Sequence, residues 1–153
     1  MKRYMLDTNT VSHLVKSHPA VSQRITEVPM AALCISAITG GELMFGLAKA
    51  ADAKALQQAL TELLRRVDVL PWDGAAMARY GKLRADLEKQ GKALGPLDVL
   101  IAAHALETDS VLVSNDAAFS HVAGLTVEDW THSEHAQPEI ACDQMAAGDT
   151  TRG

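Results

Sequence analysis

Aromatic residues are scarce in this 153-residue sequence, which has two Phe, two Tyr and two Trp. An aromatic base-stacking platform is therefore not expected. Cysteine is equally sparse. Cys34 sits in an apolar run and Cys142 lies far away in a different context, so a buried thiol in a reducing compartment is expected, not a disulfide framework. No window approaches the roughly 18 consecutive apolar residues of a membrane helix. After Met1-Lys2-Arg3, Asp7-Thr8-Asn9 interrupts the apolar stretch that a secretory leader needs. A soluble, cytoplasmic chain with no membrane association is the expectation. An excess of positive charge is also missing, since the net charge is −5. Residues Ser133 to Gly153 hold Glu134, Glu139, Asp143 and Asp149 against Arg152, which is −3 of that −5 and leaves −2 on the body. Global charge thus neither supports nor excludes a nucleic-acid substrate.

What is present is ordinary globular material: 48% hydrophobic and 22% charged residues. A chain of this length forms one domain that buries roughly 68–70% of its unfolded surface, enough for a core without metal or disulfide staples. The pattern predicts a strand over Lys2–Leu6, then helices from Thr8 to Lys16 and from Pro19 to Glu27. Ala32-Leu33-Cys34-Ile35 reads as a strand covered on both faces. Helical spacing recurs over Thr39–Ala50 and Asp52–Arg66, with Leu56, Leu60, Leu63 and Leu64 on one stripe. Val67–Leu70 is a third strand. A long helix from Asp73 ends near Gly91, placed as a C-terminal cap. A more apolar, buried helix spans Leu97–Glu107, followed by a strand at Ser110–Val113 and a weak fifth at Leu125–Val127. Strands alternating with helices mean an α/β fold with a mostly parallel sheet of about five strands. No internal repeat is visible. Hydrophobic periodicity stops after residue 132, so 1–132 is expected to be the domain and 133–153 a disordered tail.

Four carboxylates fall at element ends. Asp7 follows the first strand, Glu42 is early in the helix after the second, Asp98 is in the first turn of the apolar helix, and Asp116 lies past the fourth strand. In parallel sheets such ends share the rim where ligands bind. Each has a plainer reading. Asp7 and Asp116 can cap helices, Thr39-Gly40-Gly41-Glu42 has capping-box spacing, and Asp98 complements a helix dipole. Capping does not require the four to converge. If they do, like charges a few ångströms apart must take up protons or a cation. An all-oxygen donor set suits Mg2+ or Mn2+ over zinc, and such a site suits phosphodiester hydrolysis.

Leu6-Asp7-Thr8-Asn9, Ser36 with Glu42, Pro96-Leu97-Asp98-Val99-Leu100-Ile101-Ala102-Ala103, and Val113-Ser114-Asn115-Asp116 occur in an order that resembles the PIN domain. The likeness covers residues 2 to 130, including Gly124-Leu125-Thr126-Val127-Glu128-Asp129-Trp130, and is nearest to the bacterial VapC toxins. The resemblance implies a three-layer PIN-like α/β/α fold. It implies that Asp7, Glu42, Asp98 and Asp116 form a catalytic, metal-binding quartet. Asp7 and Asp98 would be the most direct ligands, Asp116 would complete the site, and Glu42 would act through water or as proton acceptor. Thr8, Asn9 and Ser114 would hold the carboxylates by hydrogen bonds. It further implies a Mg2+- or Mn2+-dependent endoribonuclease toxin of a type II toxin–antitoxin system. Its substrate would be structured RNA, foremost a tRNA anticodon loop, and its cleavage would inhibit translation. A VapB-type antitoxin, a homodimer, and operator DNA bound only through the antitoxin complete the implied partners.

Arg79, Lys82, Arg84, Lys89 and Lys92 give the long helix a basic character, and Arg84 and Lys82 are the candidate RNA contacts, against the plainer reading of a solvated helix face. His104, on an apolar helix, reads as a hydrogen-bonded core or edge histidine. His132 and His135 have i, i+3 spacing but are not expected to bind metal. A haloacid-dehalogenase-type phosphatase needs a second aspartate at position 9, which is Asn9. A response regulator needs an acceptor after the third strand, where Pro71-Trp72-Asp73 stands, and a lysine that is absent. A DNA-directed PIN nuclease and a non-catalytic partner-binding module are the remaining alternatives.

Overall fold

The computed structural model describes residues 2–50 and 52–132; the expected tail at 133–153 and His135 lie outside them. Five strands, β1 (Arg3–Leu6), β2 (Leu33–Ser36), β3 (Asp68–Leu70), β4 (Ser110–Val113) and β5 (Val127–Glu128), form one sheet in the order β3-β2-β1-β4-β5. Every pairing is parallel. Six helices connect them: α1 (Thr8–Val15), α2 (Pro19–Glu27), α3 (Ala37–Lys49), α4 (Lys54–Arg66), α5 (Gly74–Lys89) and α6 (Pro96–Glu107).

Strand side chains alternate between faces, and the two cores follow from that period. Met5, Cys34 and Leu112 point to a core shared with Leu83 and Leu87 of α5 and Ile101 and Ala105 of α6. Leu6, Leu33, Ile35 and Val113 point the other way, onto Val11 of α1, Val21 of α2, Leu43 of α3 and Leu60 of α4. The fold is the expected α/β/α sandwich. Trp130 is buried in the second core, tilted against Tyr4 with ring centroids 5.5 Å apart, and Arg24 lies over its indole at 5.3 Å.

Boundaries shift where local chemistry dictates. α3 begins at Ala37, capped by the Ser36 hydroxyl, which accepts from the Ile38 N–H at 3.1 Å. Thr39–Glu42, despite its capping-box spacing, is therefore not a capping box, because β2 runs straight into the helix and Thr39 is buried inside it. α4 begins at Lys54 because Asp52 has a left-handed φ of 74°, which a helix does not admit. The fifth strand begins two residues later than expected and ends one later, where Leu112 pairs with Val127 and Val113 with Glu128. The Gly91 cap is present in full. With φ at 65° it closes a Schellman motif, the Lys92 N–H donating to the Leu87 carbonyl and the Gly91 N–H to that of Glu88.

Candidate active site

β1 sits between β2 and β4, so the chain leaves the carboxyl ends of β1 and β4 in opposite directions. A crevice opens at such a switch point. Here it is a cleft of about 300 Å3 lined by Asp7, Thr8, Asn9, Glu42, Asp98 and Asp116, with Gly95, Pro96, Leu97 and Ile101 completing the wall. All four carboxylates of the sequence reading meet in it.

The segments carrying them are fastened to each other. The Asp7 N–H donates to the Val113 carbonyl at 3.1 Å, and the Thr10 hydroxyl donates to the same carbonyl at 2.8 Å. Those two bonds lock the start of α1 to the end of β4. Asp7 is buried and its Oδ1 caps α1 by accepting from the Thr10 N–H at 2.7 Å. Asp116 is exposed, and its Oδ1 caps a 3-10 turn at Ala117–His121 by accepting from the Ala118 N–H at 2.9 Å. The capping reading is thus correct for these two residues, and it engages one oxygen of each. Glu42 caps nothing. Its Oε2 accepts from the Thr8 hydroxyl at 2.8 Å, which ties α3 to α1 across the cleft. Asp98 is half-buried at the start of α6, whose N-cap Gly95 offers no side-chain bond. A Cβ on Gly95 would stand 3.1 Å from Asp98 Oδ2, a tight contact that the carboxylate would have to relieve by a few tenths of an ångström.

Electrostatics register the convergence. The Asp98 carboxyl is raised above its ordinary value, first by burial, then by the negative charge of Asp116, Asp7 and Glu42. Asp98 therefore feels the charge of all three other acids. Among the described residues no three acidic, imidazole or thiol side chains are already drawn into a ligand cage. The four carboxylates line one cleft without being gathered into a preformed cage. The donor set is all oxygen, which fits Mg2+ or Mn2+ and not zinc.

The residues expected to support the acids divide. Thr8 does hold Glu42. Ser114 is buried but accepts from the Asp116 N–H at 3.1 Å, so it orders that residue's main chain and not its carboxylate. Asn9 is exposed on the cleft wall. Arg84 and Lys82 are exposed on α5 outside the acidic cleft, in two different depressions. His104 is buried as expected and pairs with Ser36 at 2.7 Å. Burial lowers its pKa, against an opposite pull from Asp73 and from a hydrogen bond to the Pro71 carbonyl. Thr10 and Gly95 were not singled out by the sequence.

The PIN-domain family model matches residues 4–125. The tRNA(fMet)-specific endonuclease VapC of Shigella flexneri is 35% identical over 132 residues, 86% of this chain and 100% of that protein. Ribonuclease VapC2 of Haemophilus influenzae is 34% identical over 131 residues, 85% of this chain and 99% of its own length. Among solved structures, the DNA-bound VapBC of Salmonella typhimurium matches with a TM-score of 0.79 at 33% identity, covering 85% of this chain and 99% of that one. VapBC2 of Rickettsia felis, bound to a fragment of its promoter, matches with a TM-score of 0.77 at 30% identity over 83% of this chain and 98% of that one. A parallel sheet that gathers four acids at its switch point, in a chain this similar to these relatives over nearly their whole length, belongs to the PIN-domain family, among the VapC ribonucleases.

Proposed function

We propose that this ribonuclease is the toxin of a type II toxin–antitoxin pair and cuts structured RNA with the help of Mg2+, or Mn2+ in its place. The observation that carries the metal dependence is the joint electrostatic load on Asp98 from Asp116, Asp7 and Glu42 in one cleft. Four carboxylates facing one another are costly unless a cation or protons offset them. Asp7 and Asp98, with Asp116, are the proposed ligands. Asp7 and Asp116 each spend one oxygen on a cap and keep the other for the cation. When bound, the divalent ion supplies an activated water and counter-charge for the phosphate. Glu42, steered by the Thr8 hydroxyl, is placed to accept the proton that water gives up as its oxygen joins phosphorus and the bond to the leaving oxygen breaks.

A tRNA anticodon loop is the proposed target, and loss of that tRNA would inhibit translation. The relative named for tRNA(fMet) supports this class. Three of the solved neighbours are VapBC structures, two of those three bound to DNA. They support a VapB-type antitoxin as partner, with operator DNA reached through it, and a homodimeric toxin is proposed alongside.

The test is a total tRNA pool incubated with the purified, antitoxin-free chain in Mg2+, Mn2+ or chelator, beside Asp98→Asn and Glu42→Gln. Gln keeps the acceptor for Thr8, and Asn keeps the shape of Asp98, while each removes charge. Discrete, metal-dependent cuts that fall by about a hundredfold or more in both folded variants are expected. Variants that cut as well as the wild type would leave the carboxylates as caps and helix-end charges only. Cuts in DNA in place of RNA would move the substrate class.

A further inference from the structure

An acidic cleft cannot by itself hold a polyanion, and flanking phosphates need cations close to it. Two depressions on α5 offer them. One, of about 170 Å3, contains Arg79 and Lys82 beside Asp86 and shares no residue with the acidic cleft. The other, of about 210 Å3, contains Arg84 and Lys92 and shares Pro96 with it. The first turn of α6 borders both this second depression and the acidic cleft, with Leu97 and Asp98 lining the cleft and Val99 lining the depression.

This second depression has the two chemistries of a nucleotide. Arg84 and Lys92 are exposed cations, and Leu94, Pro96 and Val99 supply an apolar floor. The Arg84 guanidinium is also held in place. Its Nη1 donates to the Tyr80 hydroxyl at 2.9 Å, and its Nε faces Glu88 at 3.4 Å in an exposed i, i+4 pair. A surface pair of that kind is weak, so a phosphate competes with Glu88 for it at little cost.

We propose that the Arg84–Lys92 depression takes a nucleotide flanking the scissile phosphate, its phosphate on the two cations and its base or ribose on the floor at Leu94 and Pro96. The occupant's identity rests on the ribonuclease reading. Tyr80 is a positioning residue that aims Arg84. Lys82, on the neighbouring depression, takes no part.

The test is fluorescence anisotropy with a labelled single-stranded oligoribonucleotide in chelator, so that no cleavage intervenes. The proteins are the wild type, the double variant R84A/K92A, and K82A. The double variant is expected to bind about tenfold more weakly or worse, and its plot of log affinity against log salt should be shallower by about 1.4. K82A should match the wild type. Equal affinity and slope in R84A/K92A, or an equal loss in K82A, would overturn the proposal. Metal-dependent cleavage, read separately with Asp98→Asn, tests the carboxylate reading, so the two ideas fail by different measurements.

Discussion

Asp98 lies in the first turn of α6 with Gly95 behind it, and its carboxyl binds a proton more tightly than an ordinary aspartate, through burial first and the charge of Asp116, Asp7 and Glu42 next. Two consequences follow for pH and stability. The folded chain binds this proton better than the unfolded chain does, so Asp98 lowers stability as pH rises from the ordinary aspartate value through the raised one. Without metal at pH 7, Asp98→Asn is therefore expected to melt higher than the wild type. With Mn2+ at about a hundred times its dissociation constant, the wild type should gain about 2.7 kcal/mol that the variant does not. Differential scanning calorimetry with and without Mn2+ reads both effects, and a variant that gains as much as the wild type contradicts the assignment. Thr8→Val should leave Glu42 in place but unsteered, cutting turnover by about tenfold or more with melting little changed. An unchanged rate would mean that the Thr8 hydroxyl is only a surface bond. All four acids were legible as residue types at strand and helix ends. Gly95 and Thr10 were not, because their contribution is a distance to a chain segment that sequence does not place nearby.

At the scale of elements, Ser36 joins three things: it ends β2, caps α3 and pairs with His104 of α6. The arrangement needs a neutral imidazole. His104 has a lowered pKa in the fold, so the unfolded chain takes up its proton first as pH falls. The stability it contributes is present above the unfolded value of about 6.5 and is lost as pH drops from there toward the folded value. Urea midpoints at pH 7.5 and 5.5 are expected to diverge less in His104→Gln than in the wild type, and equal divergence would remove His104 as a cause. At the end of α5, Gly91→Ala meets no steric neighbour. Its cost should be that of a left-handed alanine, about 1 kcal/mol, or a fall in Tm of about 2–4 °C. These elements were largely legible. The 3.6-residue period and the short strand-length runs between helices place α1 to α6 and β1 to β4 within a few positions. The misplaced start of α3 has a clear physical source, since Thr39-Gly40-Gly41-Glu42 imitates a capping box while the N-cap is Ser36. That correction frees Glu42 for the cleft.

At the scale of the whole molecule, what sequence could not supply was strand order. The pairing of β1 with β4 joins residues more than a hundred positions apart. It is this pairing, with Asp7 donating its N–H to Val113, that turns four scattered acids into one cleft. The resemblance to VapC toxins had implied that meeting, but periodicity alone had not. The last strand and the residues just after it are well anchored. Trp130 is buried, and Glu128 closes the sheet while accepting from the Trp130 indole at 3.1 Å. The Shigella relative is matched along its whole length by 132 residues of this chain. A chain ended after His132 is accordingly expected to keep its Tm within about 2 °C of the full sequence. One ended after Gly124 should lose cooperative unfolding, and a cooperative transition there would place the domain boundary earlier.

The claim on which the rest depends is that Asp7, Glu42, Asp98 and Asp116 form one cation site. Mn2+ binding followed by electron paramagnetic resonance, at pH 7.5 and at pH 5, tests it without any assumption about substrate. The wild type is expected to bind Mn2+ at pH 7.5 and to weaken as protons compete at pH 5, with Asp98→Asn at least about tenfold weaker at the higher pH. Undiminished binding by Asp98→Asn at pH 7.5 would contradict the account.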